Sequence, residues 1–450
     1  MLLEFSVKNY KSFKDKMTFS MLAAPKQKGL DYSVITKKIG SKTYKVLSSA
    51  IIYGPNASGK TNIIGAMDTL KKIILRGNVK NSEVGRSHNV AADALELIPN
   101  NTAETVEPVE FALKVVVQDL VIYYLLSVDL GDFLDEKYSR KIIEEALYVN
   151  EKLVFERTVG LAFGEFKGIK SYVNEAFFAN KNSALSLAKG SLRDEELFLT
   201  NGFKSIISSQ LVNLITEWVE DKLTVVYRAD TVHSYKRFGA QEKDSSFVNN
   251  LLNKAAETFG INSNALGYAY DSSSKKTVLC SLLKNGKNDD VVIPADIFES
   301  YGTIRFINLF PIIVEALVSG GVLVIDEFDA SIHPMALINI INIFHNNDVN
   351  VNQAQLIVNS HNPIFLNSNI YRRDEINFID RDDTIHCSTH YTLADFGTSG
   401  QFGVRNNEDY LKNYFVNRYG GIKDIDFTPV FETIIRNNQK KVEADAQEDK

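Results

Sequence analysis

The octapeptide Gly54-Pro55-Asn56-Ala57-Ser58-Gly59-Lys60-Thr61 fits the pattern G-x-x-x-x-G-K-[ST] without a mismatch. In such a loop the backbone N–H groups cradle phosphate oxygens, the lysine ammonium reaches the outer phosphates, and the hydroxyl faces a divalent cation. Asn62 continues the loop into the segment behind it. A phosphate loop alone holds a nucleotide; in-line hydrolysis also needs a metal carboxylate, a group that positions water, and charge compensation at the γ-phosphate.

The run Gly320 to Glu327 is an apolar strand closed by two acids, Asp326 and Glu327. Open α/β sheets bind ligands outside the carboxyl ends of their strands, so both carboxylates fall where a nucleotide would lie. Asp326 reads as the support for Mg²⁺ beside the Thr61 hydroxyl, and Glu327 as the general base for the attacking water. Without the loop, the same pair reads equally well as a solvated acidic turn.

Three weaker signals follow. Gln355 to Asn359 is another apolar strand, which runs on into Ser360-His361, although a lone histidine is more often structural. Glu299-Ser300-Tyr301-Gly302-Thr303 precedes a helical run and lies 26 residues ahead of the acids, counted from Ser300. Serine and glycine at a helix start expose free N–H groups at the positive helix end, an anion site in principle, yet S-x-G is common. Asp380, Asp382 and Asp383 form an acidic cluster around Arg381. The neighbouring arginine and the strand-end position favour a solvated turn over a metal nuclease centre.

These residues need elements to position them. Val46 to Tyr53 is an apolar strand, and Ile63, Ile64, Met67, Leu70, Ile73 and Ile74 repeat at helical spacing after the loop, the strand–loop–helix order the motif requires. Residues 2–9 and 107–158 read as strands and hairpins of an antiparallel sheet. From about Ser171 to Phe259 the spacing turns helical, without sustained heptads, and predicts an insertion or lid. The predicted domains are 1–165 (phosphate loop and β subdomain), 166–265 (helical insertion), 266–435 (the remaining lobe) and a disordered charged tail, 436–450.

With 450 residues and a formal charge of −6, the chain has room for a large core and lacks the bulk positive charge of a protein that coats nucleic acid. Two cysteines, Cys280 and Cys387, propose no disulfide framework and fit a reducing compartment. The N-terminus has charge from residue 4 and no long apolar run, and nowhere do 18 uncharged apolar residues run together. A cytoplasmic protein with no membrane attachment is expected.

In this order, KNYKSF, GPNASGKT, ESYGT, VLVIDEFDASIHP and IVNSHNP resemble the ABC-type ATPases related to SMC proteins and to the overcoming-lysogenization-defect group. More closely they are similar to bacterial AAA-family ATP-binding proteins of abortive-infection and PARIS-like anti-phage systems. Asn406 to Ile422 resembles the closing motif of that subgroup, with Asn417 where glycine is commoner and no proline after Gly421-Ile422. The resemblance implies an α/β fold: an ABC-ATPase-like P-loop NTPase head, a mixed sheet with helices, carrying an antiparallel β subdomain and a helical insertion. It implies ATP and Mg²⁺ as cofactors, His361 as a switch contacting the γ-phosphate, Ser300 and Gly302 as a signature serving the nucleotide of a facing copy, and Asp329 as part of a loop crossing that interface. Ser331 beside it reads equally as an N-cap. Lys11, Ser12 and Phe13 fall where relatives surround the adenine and ribose, although Phe13 reads equally as strand-edge packing and Lys11 as a solvent-facing side chain, and Gln118 is a candidate by position only for the lever glutamine.

The expected activity is ATP hydrolysis by a homodimer or higher homo-oligomer with composite sites. The expected role is a sensor or scaffold that controls a separate effector, such as a Toprim-type nuclease or toxin. Two other readings stay open: an SMC-like DNA-repair ATPase binding duplex DNA directly, and a nucleotide-dependent, non-hydrolysing scaffold or antitoxin. A small-molecule kinase of the adenylate-kinase kind leaves the Asp-Glu strand end without a purpose.

Overall fold

A computed structural model describes residues 1–25, 27, 29–81, 95–135, 137–227, 254, 258, 265–271, 276–284, 290–400, 403–406 and 408–448. Its central sheet has six strands in the order Leu223–Val226, Val322–Ile325, Gln355–Asn359, Ser49–Tyr53, Ile376–Arg381 and Ser388–Thr392. The first five are parallel and the last closes the edge antiparallel. SAIIY, VLVI and QLIVN are buried at every position, as strands covered on both faces must be. Parallel strands in register finish at one edge, with Ile325 opposite Val358 and Ile52 opposite Asn359. The phosphate loop, Asp326-Glu327 and Ser360-His361 therefore leave the sheet side by side.

A seven-stranded antiparallel sheet runs Leu161–Phe163, Lys152–Arg157, Lys141–Val149, Leu120–Asp129, Val109–Val117, Leu2–Lys8 and Met17–Ser20. The helix behind the phosphate loop, Lys60–Arg76, buries Ile63, Ile64, Met67, Leu70, Ile73 and Ile74 in one core with Phe5, Phe19 and Leu113 of that sheet. The two sheets are also bolted by a polar group: buried Gln355 accepts from the Leu2 N–H at 2.6 Å and donates to the Leu2 and Leu47 carbonyls, each at 3.1 Å. A second core packs the helices Tyr301–Ser319 and Pro334–His345 on the parallel sheet.

The middle of the chain departs from a detached lid. Its described helical part, residues 166–222, puts Phe166, Ile169, Phe198, Phe203, Leu211 and Trp218 into the first core, and Leu223–Val226 is a strand of the main sheet. Apolar helical spacing announces burial but not against what, which is why the two alternatives look alike in sequence. Beyond Tyr227, the helical stretch expected to run to Phe259 lies outside the described residues apart from positions 254 and 258. At the far end a helix spans Thr428–Glu448, where charge and polarity predict disorder. One described helix, Tyr301–Ser319, is long and apolar enough to cross a membrane by length and composition; it carries Arg305 and Glu315, and more than half of it is buried inside the protein.

Candidate functional site

The loop begins where Tyr53, fully buried, passes into Gly54, and it ends on the helix that starts at Lys60. Ala57 has φ 63° and Gly59 φ 110°, left-handed geometry that turns successive peptides and that glycine adopts without a Cβ penalty. At Gly54 the reason is space: a Cβ would lie 2.3 Å from the Ile379 carbonyl oxygen. The Ser58 N–H closes a turn on the Pro55 carbonyl at 3.2 Å. Pro55 is half-buried, and Asn56 and Ala57 are exposed at the tip.

Lys60 is 4% exposed and donates to the Gly54 and Pro55 carbonyls at 2.7 and 2.9 Å. Burial pulls its pKa down to about 8, opposed by the carboxylates of Asp326, Asp329 and Glu327. Thr61 donates its hydroxyl to Asp326 Oδ1 at 3.1 Å, so residues 265 positions apart in sequence meet at the sheet edge. Asp326 is buried. Hydroxyl and carboxylate oxygens converging there are the donor set that Mg²⁺ takes alongside phosphate oxygens, and the fit is good.

Glu327 turns outward. Its backbone has φ 51°, an uncommon conformation for this residue type, and three neighbours hold it there. Its N–H donates to Asn359 Oδ1 at 2.5 Å, while its carbonyl accepts from the Arg305 guanidinium and from the Ala330 N–H at 3.1 Å. The carboxylate is exposed at the crevice. Asn359 is the residue that pattern reading missed: its Nδ2 also donates to Asp326 Oδ1. The available signal is a polar residue closing an otherwise apolar strand, two places before His361. Arg305, buried one turn into the helix after Ser300, likewise bonds the Asp326 carbonyl at 3.4 Å.

His361 is exposed beside this corner, and its N–H donates to Asp329 Oδ2 at 3.2 Å. Partial desolvation of the ring and the nearby Lys60 charge lower its pKa below the usual imidazole value, opposed by Asp329, Glu327 and Asp326. Asp329 thus anchors the histidine loop within one chain. Ser331, with φ 61°, is not the cap of the following helix; that cap is His333, whose Nδ1 accepts from the Met335 N–H at 3.3 Å.

Ser300 caps its helix, Oγ accepting from the Thr303 N–H at 3.1 Å, and both it and Tyr301 are exposed. Gly302 meets the acidic corner: a Cβ there would stand 2.1 Å from the Ser331 carbonyl oxygen.

Among the N-terminal residues, Ser12 adjoins the loop, its Oγ accepting from Asn62 Nδ2 at 2.8 Å. Lys11 is engaged elsewhere, by Glu96 at 2.6 Å and the Tyr227 hydroxyl at 3.2 Å. Phe13 corrects the expectation for its position, because it is fully buried in the first core and has no free face for a nucleoside. Gln118 is exposed in the turn between Val109–Val117 and Leu120–Asp129 of the antiparallel sheet, apart from the site. The residue following the strand beside the acid strand is Tyr227, whose ring lies against Gly65 of the loop helix. Asp382 spends its carboxylate on the Thr384 and Ile385 N–H groups, a turn cap; among the described residues no group of three or more acids, histidines or cysteines is placed to hold a metal ion by itself.

Two solved structures are similar in outline. The head of an Smc protein bound to the C-winged helix domain of ScpA is 10% identical, with 87% of this chain and 97% of that one covered, at a TM-score of 0.39. The Smc head domain with an extended coiled coil bound to the C-terminal domain of ScpA, derived from Pyrococcus furiosus, is 12% identical, covering 87% and 96%, at 0.36. No curated protein matches the chain. The family model described as AAA domain, putative AbiEii toxin, Type IV TA system matches residues 49–367, from the phosphate-loop strand through the histidine loop. With more than half its length matched, and a phosphate loop set against an acid strand on a parallel sheet, this chain belongs to that AAA-domain family.

Proposed function

We propose that the protein is a Mg²⁺-dependent ATP hydrolase whose nucleotide is clasped between two copies of the chain. The single observation that carries the reading is the meeting of Lys60, Thr61, Asp326 and Asn359 at one sheet edge, with Glu327 exposed above them. Lys60 compensates charge on the outer phosphates, and the loop N–H groups orient them. Thr61 and Asp326 would hold Mg²⁺, which when bound neutralises charge on the phosphate oxygens. Glu327 accepts the proton of the attacking water, and His361 offers a hydrogen bond near the γ-phosphate.

The cap formed by exposed Ser300 and half-buried Gly302 supplies N–H groups to the phosphates of a facing copy, so the dimer or higher oligomer closes with ATP and opens after hydrolysis. In this reading the switch serves as the sensor or scaffold ATPase of a bacterial anti-phage system, in the cytoplasm, and controls a separate effector such as a Toprim-type nuclease or toxin. The description of the matched family, which names a toxin of a toxin–antitoxin system, supports that setting.

The test is Glu327→Gln. Losing a general base costs on the order of 10²- to 10⁴-fold in rate, so the variant should bind ATP, hydrolyse it far more slowly, and persist as the larger species in light scattering. Purified from its host with ATP, that species should retain the product of an adjacent gene. A variant that hydrolyses at the parent rate, or stays monomeric with ATP, overturns the reading.

A further inference from the structure

Apart from the Ile379 carbonyl beside Gly54, the segment Ile379-Asp380-Arg381-Asp382-Asp383 and the strand after it have taken no part in the proposed chemistry, yet they touch the phosphate loop at four points. The Arg381 guanidinium donates through Nη1 to the Ala57 carbonyl at 3.1 Å and through Nε to the His386 carbonyl at 3.0 Å. Ser388 donates its hydroxyl to the Ser58 carbonyl. The Ile379 carbonyl closes on Gly54, and Ser388 Oγ would lie 2.8 Å from a Cβ at Gly59. The brace is itself rigid: Asp382 caps the intervening turn through Thr384 at 2.7 Å and Ile385 at 2.9 Å, its backbone pairs with Cys387 and His386, and the Ser388 N–H bonds the Ser12 carbonyl at 2.7 Å.

A trans peptide points its C=O and the following N–H in opposite directions. Holding the Ser58 carbonyl toward Ser388 therefore turns the Gly59 N–H to the opposite side of that peptide. Holding the Ala57 carbonyl fixes the left-handed conformation at the loop tip, one that a non-glycine residue adopts uncommonly. Arg381 brings a permanent positive charge as well, and its fork can grip two carbonyls at once where a lysine offers one compact ammonium.

We propose that Arg381 and Ser388 are positioning residues for nucleotide polyphosphate. They preset the phosphate-loop amides from outside the loop, and they act through backbone geometry more than through charge. This rests on the ATP-binding reading above.

The experiment is titration of a fluorescent ATP analogue into the full chain, without and with Mg²⁺, for Arg381→Met, Arg381→Lys, Ser388→Ala and the parent, with thermal unfolding of each. A hydrogen bond involving a charged group supports roughly a tenfold change in affinity. Arg381→Met should weaken binding by about that factor and Ser388→Ala, which loses a neutral hydrogen bond, by a few-fold, and Arg381→Lys should fail to restore it. In turnover the loss should appear in KM with kcat nearly kept, whereas a merely unstable variant would lose active protein at constant KM. Restoration by lysine with Ser388→Ala unaffected would overturn the brace in favour of simple charge, and parent-like binding by both Arg381→Met and Ser388→Ala would overturn the proposal outright. Failure of the parent chain to bind the analogue would instead overturn the ATP reading on which it stands.

Discussion

Asn359 and Asp326 are joined side chain to side chain, the amide Nδ2 donating to carboxylate Oδ1, while the same amide's oxygen receives the Glu327 N–H. One residue therefore fixes both the Asp326 carboxylate and the backbone that carries Glu327, the groups proposed for Mg²⁺ and for the base. Outer partners of a metal carboxylate typically matter by about 10- to 100-fold in metal affinity or activity. Asn359→Leu should raise the Mg²⁺ concentration for half-maximal turnover by that order and slow turnover at saturating Mg²⁺. A Mg²⁺ titration of the ATPase reaction checks it, and an unchanged midpoint would mean that Asp326 is held by Thr61 alone.

The parallel core and the loop were legible because each rests on local chemistry: unbroken apolar runs for doubly covered strands, and glycines at the two turns of the loop. What local pattern could not carry is who meets whom across the sheet. Asn359 looks like any polar strand end until Val322–Ile325 lies beside it. Arg305 is one charge in a helix apolar enough to cross a membrane, and only the acidic corner packed against it explains its burial. Phe13 went the other way, since a resemblance in order could not reveal that its ring fills a core. The short π-helical segments Leu199–Ile207 and Trp218–Lys222 keep helical periodicity while packing with the antiparallel sheet, which is why they read as a separate insertion.

Burial lowers the Lys60 pKa from 10.5 to about 8. A lysine whose folded pKa is depressed costs stability most below that value, and the cost fades as pH rises toward 10.5, where the unfolded chain also loses its proton. The nucleotide-free protein should therefore gain stability from this group between about pH 8 and 10.5. Bound polyphosphate favours the ammonium, so binding above pH 8 must take up a proton. Affinity for ATP should fall roughly tenfold from pH 7 to pH 9, and Lys60→Met should flatten that slope. Calorimetric titration in two buffers of different ionisation enthalpy measures the proton directly.

Gly302 and Ser331 are pressed together, with only 2.1 Å between the carbonyl oxygen and the place a Cβ would occupy. Backbone cannot yield as a flexible side chain would. Gly302→Ala should cost about 1–3 kcal/mol of stability through overpacking, seen as a lowered unfolding midpoint, and should push the cap helix off the acidic corner. Gly160→Ala is the control, since nothing lies within 4 Å of its added methyl, and it should leave the midpoint in place.

Ser300 separates structure from association. Its hydroxyl caps the helix through the Thr303 N–H, so Ser300→Ala should cost about 1 kcal/mol. Aspartate caps as well as serine and suits the positive helix end, so Ser300→Asp should keep the midpoint close to that of the parent. The two substitutions part on function. A carboxylate on an exposed cap repels the triphosphate that a facing copy would bring to it, whereas an alanine only removes one hydroxyl. ATP-driven enlargement, followed by light scattering on the Glu327→Gln background, should survive Ser300→Ala in weakened form and vanish with Ser300→Asp. If the aspartate form enlarges as readily as its parent, the cap does not face a nucleotide in the oligomer, and the shared site must be built from another surface.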